Sequence, residues 1–465
     1  REASRCRIYP RKTMRLRKTI TTIVATAILL AGWQLFAVIA NQPELIPSLP
    51  RLVRTLCEWL VSGSFYQSVG ATILRGVLGM SISFVCAIGM AGLFARFEWV
   101  YELFRPLLAI MRSIPVISFI LLALIFLNPE SIPLMIAFLT MFPLLTENLT
   151  RGILDLRPGL SIMARQFHIK RSNVLFQIIY PQLKPFLYSG LASAAGFGWR
   201  AIIMGEVLSQ CAFGIGSEMK RAQNFIAVPE LLAWTIVAVF ISFFFDKGIS
   251  KVADITPKIS FANEDQTIPT PTLSVLDTKD ISYQYGIQHF SHSFQKGIIY
   301  GISAPSGKGK TTLLNLIGGI LLPTEGEIHP TRHFGIATIF QQPQLLPHLT
   351  AEENIILPLS SFLTEEKARR IAQKHLQEME MEPFGNRYPK ELSYGQQQRI
   401  AIARALAYPS PLLLMDEPFK GLDEALSHRI IERIREKQMK EERIILFTSH
   451  NPDEIRLLAD EVIYL

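Results

Sequence analysis

The chain runs to 465 residues, with 49% hydrophobic and 18% charged residues and a formal net charge of +8, and that length allows two or three domains. The apolar residues are concentrated in the first half, which excludes a wholly soluble protein. The positive excess lies largely ahead of the first apolar run, at Arg1, Arg5, Arg7, Arg11, Lys12, Arg15, Arg17 and Lys18; a positive-inside membrane topology accounts for it better than nucleic acid, so no nucleic-acid partner is expected.

Residues 1–18 read as a basic cytoplasmic N-terminus in which Met14 is a candidate start of translation. Thr19 to Ala40 is about twenty apolar residues, enough to cross a bilayer core of about 30 Å. Val38 and Ala40 weakly resemble a signal-peptide cleavage site, but the run exceeds a signal's usual apolar region and is read as a span. Beyond Pro47-Ser48-Leu49-Pro50, apolar residues at Leu52, Val53, Leu56, Trp59 and Leu60 have the spacing of an amphipathic helix lying at the interface. Further spans are expected at roughly 71–94, 106–127, 131–149, 186–208 and 228–246, six in all, which returns the chain to the cytoplasm. The stretch from Thr150 to Pro185 carries Arg151, Arg157, Arg165, Lys170, Arg171 and Lys184 against the single acid Asp155, and belongs on the inside.

Small residues recur at helical spacing at Ala87, Ala91 and Ala95, and again at Gly190, Ala194 and Gly198, which predicts close helix packing in lipid. Arg75, Arg112, Arg200 and Glu206 fall within or at the edges of spans and must face protein or water; Arg200 and Glu206, on nearly opposite sides of one helix, are expected to have different partners. Cys6, Cys57, Cys86 and Cys211 show no C-x-x-C spacing and no histidine companions, so neither zinc nor a redox centre is indicated; Cys57 and Cys211, both in predicted external loops, are the pair with a chance of bridging. Residues 19–252 therefore read as the membrane domain. The polar, proline-containing residues 253–272 read as a cytoplasmic linker.

Residues 273–465 are organised around Ala304-Pro305-Ser306-Gly307-Lys308-Gly309-Lys310-Thr311-Thr312. An apolar run, Ile298 to Ile302, precedes it as a strand, and Leu313 to Ile317 follows as the start of a helix. A glycine-rich turn between strand and helix aims backbone N–H groups and the positive end of the helix dipole at one point and so holds phosphate oxygens; Lys310 reaches the terminal phosphates and Thr311 ligates magnesium. Ala304 stands where the G-x-x-x-x-G-K-[ST] pattern begins with glycine. A left-handed backbone there would cost alanine about 1–2 kcal/mol, and any other conformation nearly nothing. Downstream come Ile339-Phe340-Gln341-Gln342, Leu392 to Arg399, Leu412-Leu413-Leu414-Met415-Asp416-Glu417-Pro418, Gly421-Leu422-Asp423 and Thr448-Ser449-His450. Apolar residues ending in Asp416-Glu417 describe a buried strand delivering two carboxylates beside the phosphate loop.

In this order the motifs resemble the nucleotide-binding domain of ABC transporters over nearly all of residues 273–465. The resemblance implies an all-α membrane domain of six transmembrane helices followed by an α/β P-loop ATPase with a helical signature subdomain, acting on ATP with Mg2+. It implies that Ser306, Gly307, Lys308, Gly309, Lys310, Thr311 and Thr312 hold phosphates and that Thr311, Gln341 and Asp416 hold magnesium. Glu417 would polarise the attacking water and His450 touch the terminal phosphate, while Gln341 also senses the membrane domain. Tyr285 would stack on adenine, with Tyr283 a near alternative. Ser393, Gly395 and Gln396 of the signature would face the nucleotide of the opposite subunit, with Asp423 counted in the same nucleotide-binding set. Each chain carries one such domain, so a second copy of the chain is the implied partner. Tyr394 replaces the smaller residue usual in the signature.

The cytoplasmic loop carries a second resemblance. Ala164-Arg165, His168, Ile178 and Tyr180-Pro181 hold the spacing of the loop of ABC importer permeases, with Ile162 where glutamate is usual and His168 where glycine is. A coupling helix is implied at about 160–175. Arg112-Ser113-Ile114-Pro115, Tyr188 to Leu191 and Gly205-Glu206-Val207 look like permeases of the nitrate, sulfonate, taurine and pyrimidine-precursor group. That resemblance implies import of a small polar solute, delivered by an external solute-binding protein, across a cytoplasmic membrane whose lipid surrounds the spans. Two alternatives stand beside it: an ABC exporter half-transporter, which shares the domain order, and a mechanotransmitting or regulatory membrane ATPase that moves nothing, which the altered motif letters would suit.

Overall fold

The computed structural model describes residues 11–253, 257–266, 273–284, 286–305, 307–330 and 335–465, with side chains in the first run described for 20–251. The chain forms two bodies interleaved in sequence: the first holds the chain up to Asp155 and again from Leu183 through the last span, and the second holds Leu156–Gln182 together with everything after the linker begins.

The first body is helical: α1 (Arg11–Ala40), α2 (Leu49–Trp59), α3 (Gly63–Arg96), α4 (Glu98–Ser113), α5 (Val116–Phe126) and α6 (Ile132–Leu154) precede the excursion into the second body. After α7 (Pro158–Gln166) and α8 (Arg171–Asn173), a π-helical stretch over Val174–Ile179 leads into α9 (Tyr180–Ser209), followed by α10 (Ile215–Asn224) and α11 (Val228–Ala253). Among the described residues five helices are long and apolar enough to cross a membrane. The third expected span, 106–127, is not one helix: α4 and α5 meet at 93°. The break falls where Ile114 precedes Pro115 and is held extended at φ −73°, ψ 130°, because the proline ring disfavours a helical residue before it and offers no N–H of its own. Six spans result only if this bent pair counts as one.

The small-residue stripes lie where helices meet. Ala87 and Ala91 of α3 are fully buried with Ala137, Met141 and Leu145 of α6 and Ala194 of α9, whereas Ala95 is exposed. At Gly79 a Cβ would come within 2.6 Å of Ala137 Cβ, so the contact of α3 with α6 tolerates no side chain there. The interfacial helix α2 docks on α11, Trp59 stacking on Trp234 at 4.6 Å between centroids. Arg75 and Glu206 pair at 2.7 Å, with Glu206 fully buried and also held by Thr72 and the N–H of Gly216, while Arg75 reaches Glu130 at 2.6 Å. Arg112 and Arg151 both pair with Glu147. Arg200 is exposed, so it and Glu206 do have different surroundings. Cys57, Cys86 and Cys211 are free; Cys211 is buried beside Ser209, and no bridge joins it to Cys57. Cys6 lies outside the described residues.

The second body contains two sheets. β1 (Val275–Tyr283), β2 (Ile287–Gln295) and β4 (Glu325–His329) form an antiparallel sheet of order β2-β1-β4; β3 (Ile299–Ser303), β5 (Ala337–Ile339), β6 (Leu412–Asp416), β7 (Ile444–Thr448) and β8 (Glu461–Tyr464) form a parallel sheet of order β5-β6-β7-β3-β8. β6 and β7 are buried along their whole length, as continuous apolar runs covered on both faces require. The helices are α12 (Lys310–Ile317), α13 (Ala351–Leu359), α14 (Glu365–Glu378), α15 (Tyr394–Ala407), α16 (Glu424–Glu441) and α17 (Pro452–Leu458).

The helix expected over about 160–175 is two helices in the structure. α7 ends in a Schellman turn: the His168 N–H donates to Arg165 O at 3.3 Å and the Ile169 N–H to Ala164 O at 3.0 Å, with His168 left-handed at φ 45°. Glycine, the letter of the importer pattern at this position, adopts such a conformation without cost. Leu160, Met163 and Phe167 of this loop share one apolar core with Ile339, Leu346, Ile355 and Tyr408 of the second body.

Candidate functional site

Register brings the motif residues together. Asp416 of β6 lies beside Thr448 of β7, and Thr448 beside Ile302 of β3, so the phosphate loop, the two carboxylates and His450 all leave the same edge of the sheet. In open parallel sheets the crevice beyond the strands' carboxyl ends is where ligands bind.

Gly307 and Gly309 have φ of 81° and 92°, and Gly309 caps α12. Ala304 is not among the described residues with positive φ, so alanine costs nothing at the position where the pattern has glycine. Lys310 is buried and donates to the carbonyl of Ala304 at 2.7 Å. Gly286 packs so closely on Gly309 that a Cβ there would lie 2.7 Å from Gly286 O, which sets the β1–β2 turn against the phosphate loop. Ser306 and Tyr285 lie outside the described residues, and Tyr283 packs on the core beneath the antiparallel sheet. Lys308 is exposed and Thr312 half-buried in the first turn of α12.

Asp416 is buried and accepts from two hydroxyls, Thr311 Oγ1 at 2.9 Å and Thr448 Oγ1 at 2.8 Å. Burial pushes its carboxyl above the usual range, against the pull of those hydroxyls. Glu417 follows at φ 48°, its N–H donating to Thr448 Oγ1 at 3.1 Å. The turn aims its carboxylate at His450 Nε2 (3.0 Å) and Lys420 Nζ (3.2 Å), with the Gln341 side chain also bonded to it. Burial acts to raise the Glu417 carboxyl, but the bonds from Lys420 and Gln341 and the nearby positive charges outweigh it and hold the group below the usual carboxylate range. Thr311 and Asp416, bonded to each other, carry the hydroxyl and carboxylate oxygens that magnesium takes, and the Gln341 side chain reaches Glu417 beside them. Among the described residues no cluster of three or more His, Cys, Asp or Glu offers an alternative metal site.

The signature residues stand apart. Ser393 and Gln396 close a capping box at the start of α15, Gln396 N donating to Ser393 Oγ at 3.3 Å and Ser393 N to Gln396 Oε1 at 2.9 Å. Asp423 caps α16 through the N–H of Leu426. Gly395 packs on Gly421 O, where a Cβ would stand 2.5 Å away. None of these residues is hydrogen-bonded to Gly307–Thr312 among the described residues, which leaves the start of α15 exposed.

Two participants were given no role from the sequence, and a third, Tyr394, was noted only as a departure from the signature. Thr448 ties Asp416 to the Glu417 backbone, and Lys420 completes the Glu417 cage. The substituted Tyr394 donates its hydroxyl to Gln341 O at 2.7 Å, joining the signature helix to the glutamine loop. That loop continues toward the end of α7: buried Arg404, pulled down to about 9 by burial, donates to Pro343 O and Gln344 O at 2.8 Å each and lies over the ring of Phe167 at 5.4 Å. The Gln344 side-chain amide in turn lies against Gly159 of α7, where an added Cβ would come within 2.6 Å of Oε1 and push the amide aside.

Residues 287–420 match the family model described as ABC transporter, and residues 81–246 match that of the inner membrane component of binding-protein-dependent transport systems. An uncharacterized ABC transporter ATP-binding protein of Methanocaldococcus jannaschii is 34% identical over 201 residues, which is 39% of this chain and 85% of that protein. The thiamine import ATP-binding protein ThiQ of Yersinia pseudotuberculosis is 34% identical over 205 residues, 41% of this chain and 86% of ThiQ. An iron(III)-import ATP-binding protein of Rhizobium etli is 35% identical over 189 residues, 38% of this chain; the chain spans about half of that protein's length, 54%. A solved dimer of an ATP-binding cassette with ADP and phosphate has 32% identity, a TM-score of 0.39, and coverage of 41% of this chain and 94% of that one.

Proposed function

We propose, from the premise that this chain belongs to the ABC transporter family, that it is an ATP-driven importer with permease and ATPase fused, working as a homodimer in the cytoplasmic membrane. The carrying observation is that a membrane body matching a binding-protein-dependent permease and a cassette matching importer ATPases lie in one polypeptide. An external solute-binding protein then delivers a small polar solute; the residues at Arg112–Pro115 and Gly205–Val207 favour the nitrate, sulfonate, taurine and pyrimidine-precursor group.

In this reading the N–H groups of Gly307–Thr312 and the ammonium of Lys310 take the phosphates of ATP, which displace Lys310 from Ala304 O. Thr311, Gln341 and Asp416 would hold magnesium, which neutralises phosphate charge when bound. Glu417, kept ionised by Lys420 and Gln341, orients the attacking water, and His450 reaches the terminal phosphate. Ser393, Gly395 and Gln396 close over the nucleotide of the second copy, and Asp423 caps the helix beside them. Tyr285 and Ser306 complete the adenine and phosphate contacts.

The test is the full chain in vesicles supplied with ligand-loaded binding protein and ATP. Uptake of the ligand with ATP inside is expected, and its absence alongside active hydrolysis would refute import. Glu417→Gln should keep ATP binding and lower turnover by two orders of magnitude or more, about the loss expected when a base is removed; hydrolysis at the original rate would sink the assignment of Glu417.

A further inference from the structure

We propose that the described part of the linker, Pro257–Gln266, is a strap that locks the coupling loop onto the ATPase, with Asn173 as the positioning residue. The inference rests on reading Leu156–Gln182 as the coupling loop. A passive tether would only raise the effective concentration of the two halves and would need no ordered contacts. This segment has many.

Asn173 is 1% exposed and its amide is fully used. Nδ2 donates to Ser260 O and to Ser360 Oγ, both at 2.8 Å, and Oδ1 accepts from Ser260 N at 2.8 Å. The side chain thus exchanges two bonds with the linker backbone, as a neighbouring strand would, and spends its remaining donor on the turn after α13. Gln177, fully buried one helical turn further on, donates to Pro257 O at 3.0 Å. The same turn is gripped from the linker side: Ala262 N donates to Ser360 O at 3.0 Å, Gln266 N to Phe362 O at 2.8 Å, and Asp265 Oδ1 accepts from Thr364 N at 2.9 Å. Lys170 N of the coupling loop donates to Ser361 Oγ. Residues 360–364 are therefore bonded to both segments, and both segments to each other.

Packing repeats the pattern, since Ile259 and Phe261 lie on the same apolar core that receives Leu160, Met163 and Phe167 of the loop. Buried amides that lose their partners cost more than exposed ones, because nothing replaces the bond. Asn173 is thus the point at which strap, loop and ATPase turn depend on one another. A chain whose permease and ATPase were separate could not have this connection.

The experiment uses the full chain with a protease site placed within residues 267–272, cut after purification in detergent. What is read is how firmly the released fragment, from residue 273 on, stays with the membrane half. The unmodified strap is expected to hold it. Asn173→Ala, and separately the pair Ile259→Ser with Phe261→Ser, should each weaken retention by about tenfold or more, with the thermal transition of the uncut protein still present. Because all three changes release one strap, combining them should weaken retention no further than the stronger alone. Unchanged retention in the Ile259/Phe261 variant makes the linker a mere tether and overturns the proposal. Effects that multiply also overturn it, since Asn173 would then serve only the loop. Retention needs no solute, so a failure of the import reading leaves this result standing and is told apart from it.

Discussion

Glu417 shows how backbone and charge combine at one residue. A left-handed φ is unusual for glutamate and costs about 1–2 kcal/mol, yet here it turns the carboxylate off the end of β6 toward His450, Lys420 and Gln341. Because Lys420 is a main reason that the Glu417 carboxyl is held low, Lys420→Ala should let it rise. On the role proposed for Glu417 the active form is the carboxylate and activity is lost as pH falls through its pKa, so the acidic limb of the ATPase profile should move to higher pH in that variant. A profile unchanged on its acidic side would show that Lys420 does not tune the base. That Lys310, Thr311, Asp416 and Glu417 would meet at one edge of a sheet was legible, because a glycine-rich turn opening a helix and an apolar run ending in two carboxylates both mark strand ends. Thr448 and Lys420 were not, since their roles follow from strand register and from a backbone turn that one-dimensional spacing does not encode. Ala304 was open from the sequence, and its backbone conformation closes the question.

At the scale of elements, the expected coupling helix and the expected third span both depart from the apolar pattern for local reasons. His168 occupies the left-handed C′ position of α7. It is exposed, so His168→Gly should be neutral or stabilising by up to about 1 kcal/mol. His168→Val should cost about 1 kcal/mol or more, because a branched side chain fits that conformation poorly. Thermal unfolding of the purified protein measures both, and a valine variant as stable as the parent would contradict the turn. The importer-like loop was legible through its spacing, whereas the length of its helix was not, because hydrophobic periodicity runs on through the turn. The break in the third expected span had a visible signal in Pro115, with Arg112 and Ser113 just ahead of it, outweighed by the largely apolar stretches at 107–111 and 116–127.

On the scale of the whole molecule, the exposed start of α15 and the single phosphate loop per chain frame the assembly question. If each ATP site is shared between copies, mixing chains is diagnostic. Dimers that combine Glu417→Gln in one chain with Ser393→Ala in the other should retain one intact site and hydrolyse ATP well above either variant alone. Activity no higher than that of the more active variant would place the whole site within one chain. The two-part organisation was legible from composition. That residues 156–182 fold with the second body was legible only through the importer resemblance, whose loop docks on the ATPase, since a segment contiguous in sequence with two spans gives no compositional sign of where it packs.

The 93° corner between α4 and α5 has one more implication. A helix that stops inside a bilayer leaves carbonyls without amide partners, and hydrocarbon supplies none. Arg112, Ser113 and Pro115 at this corner are exposed in the single chain. If the bent pair crosses the bilayer as one broken span, lipid tails cannot wet that surface, and water or another protein has to cover it. A solvent-accessibility scan of single cysteines through residues 111–117 would trace it, with labelling by a charged, membrane-impermeant thiol reagent strongest at the corner and fading along the lipid-facing side of α5.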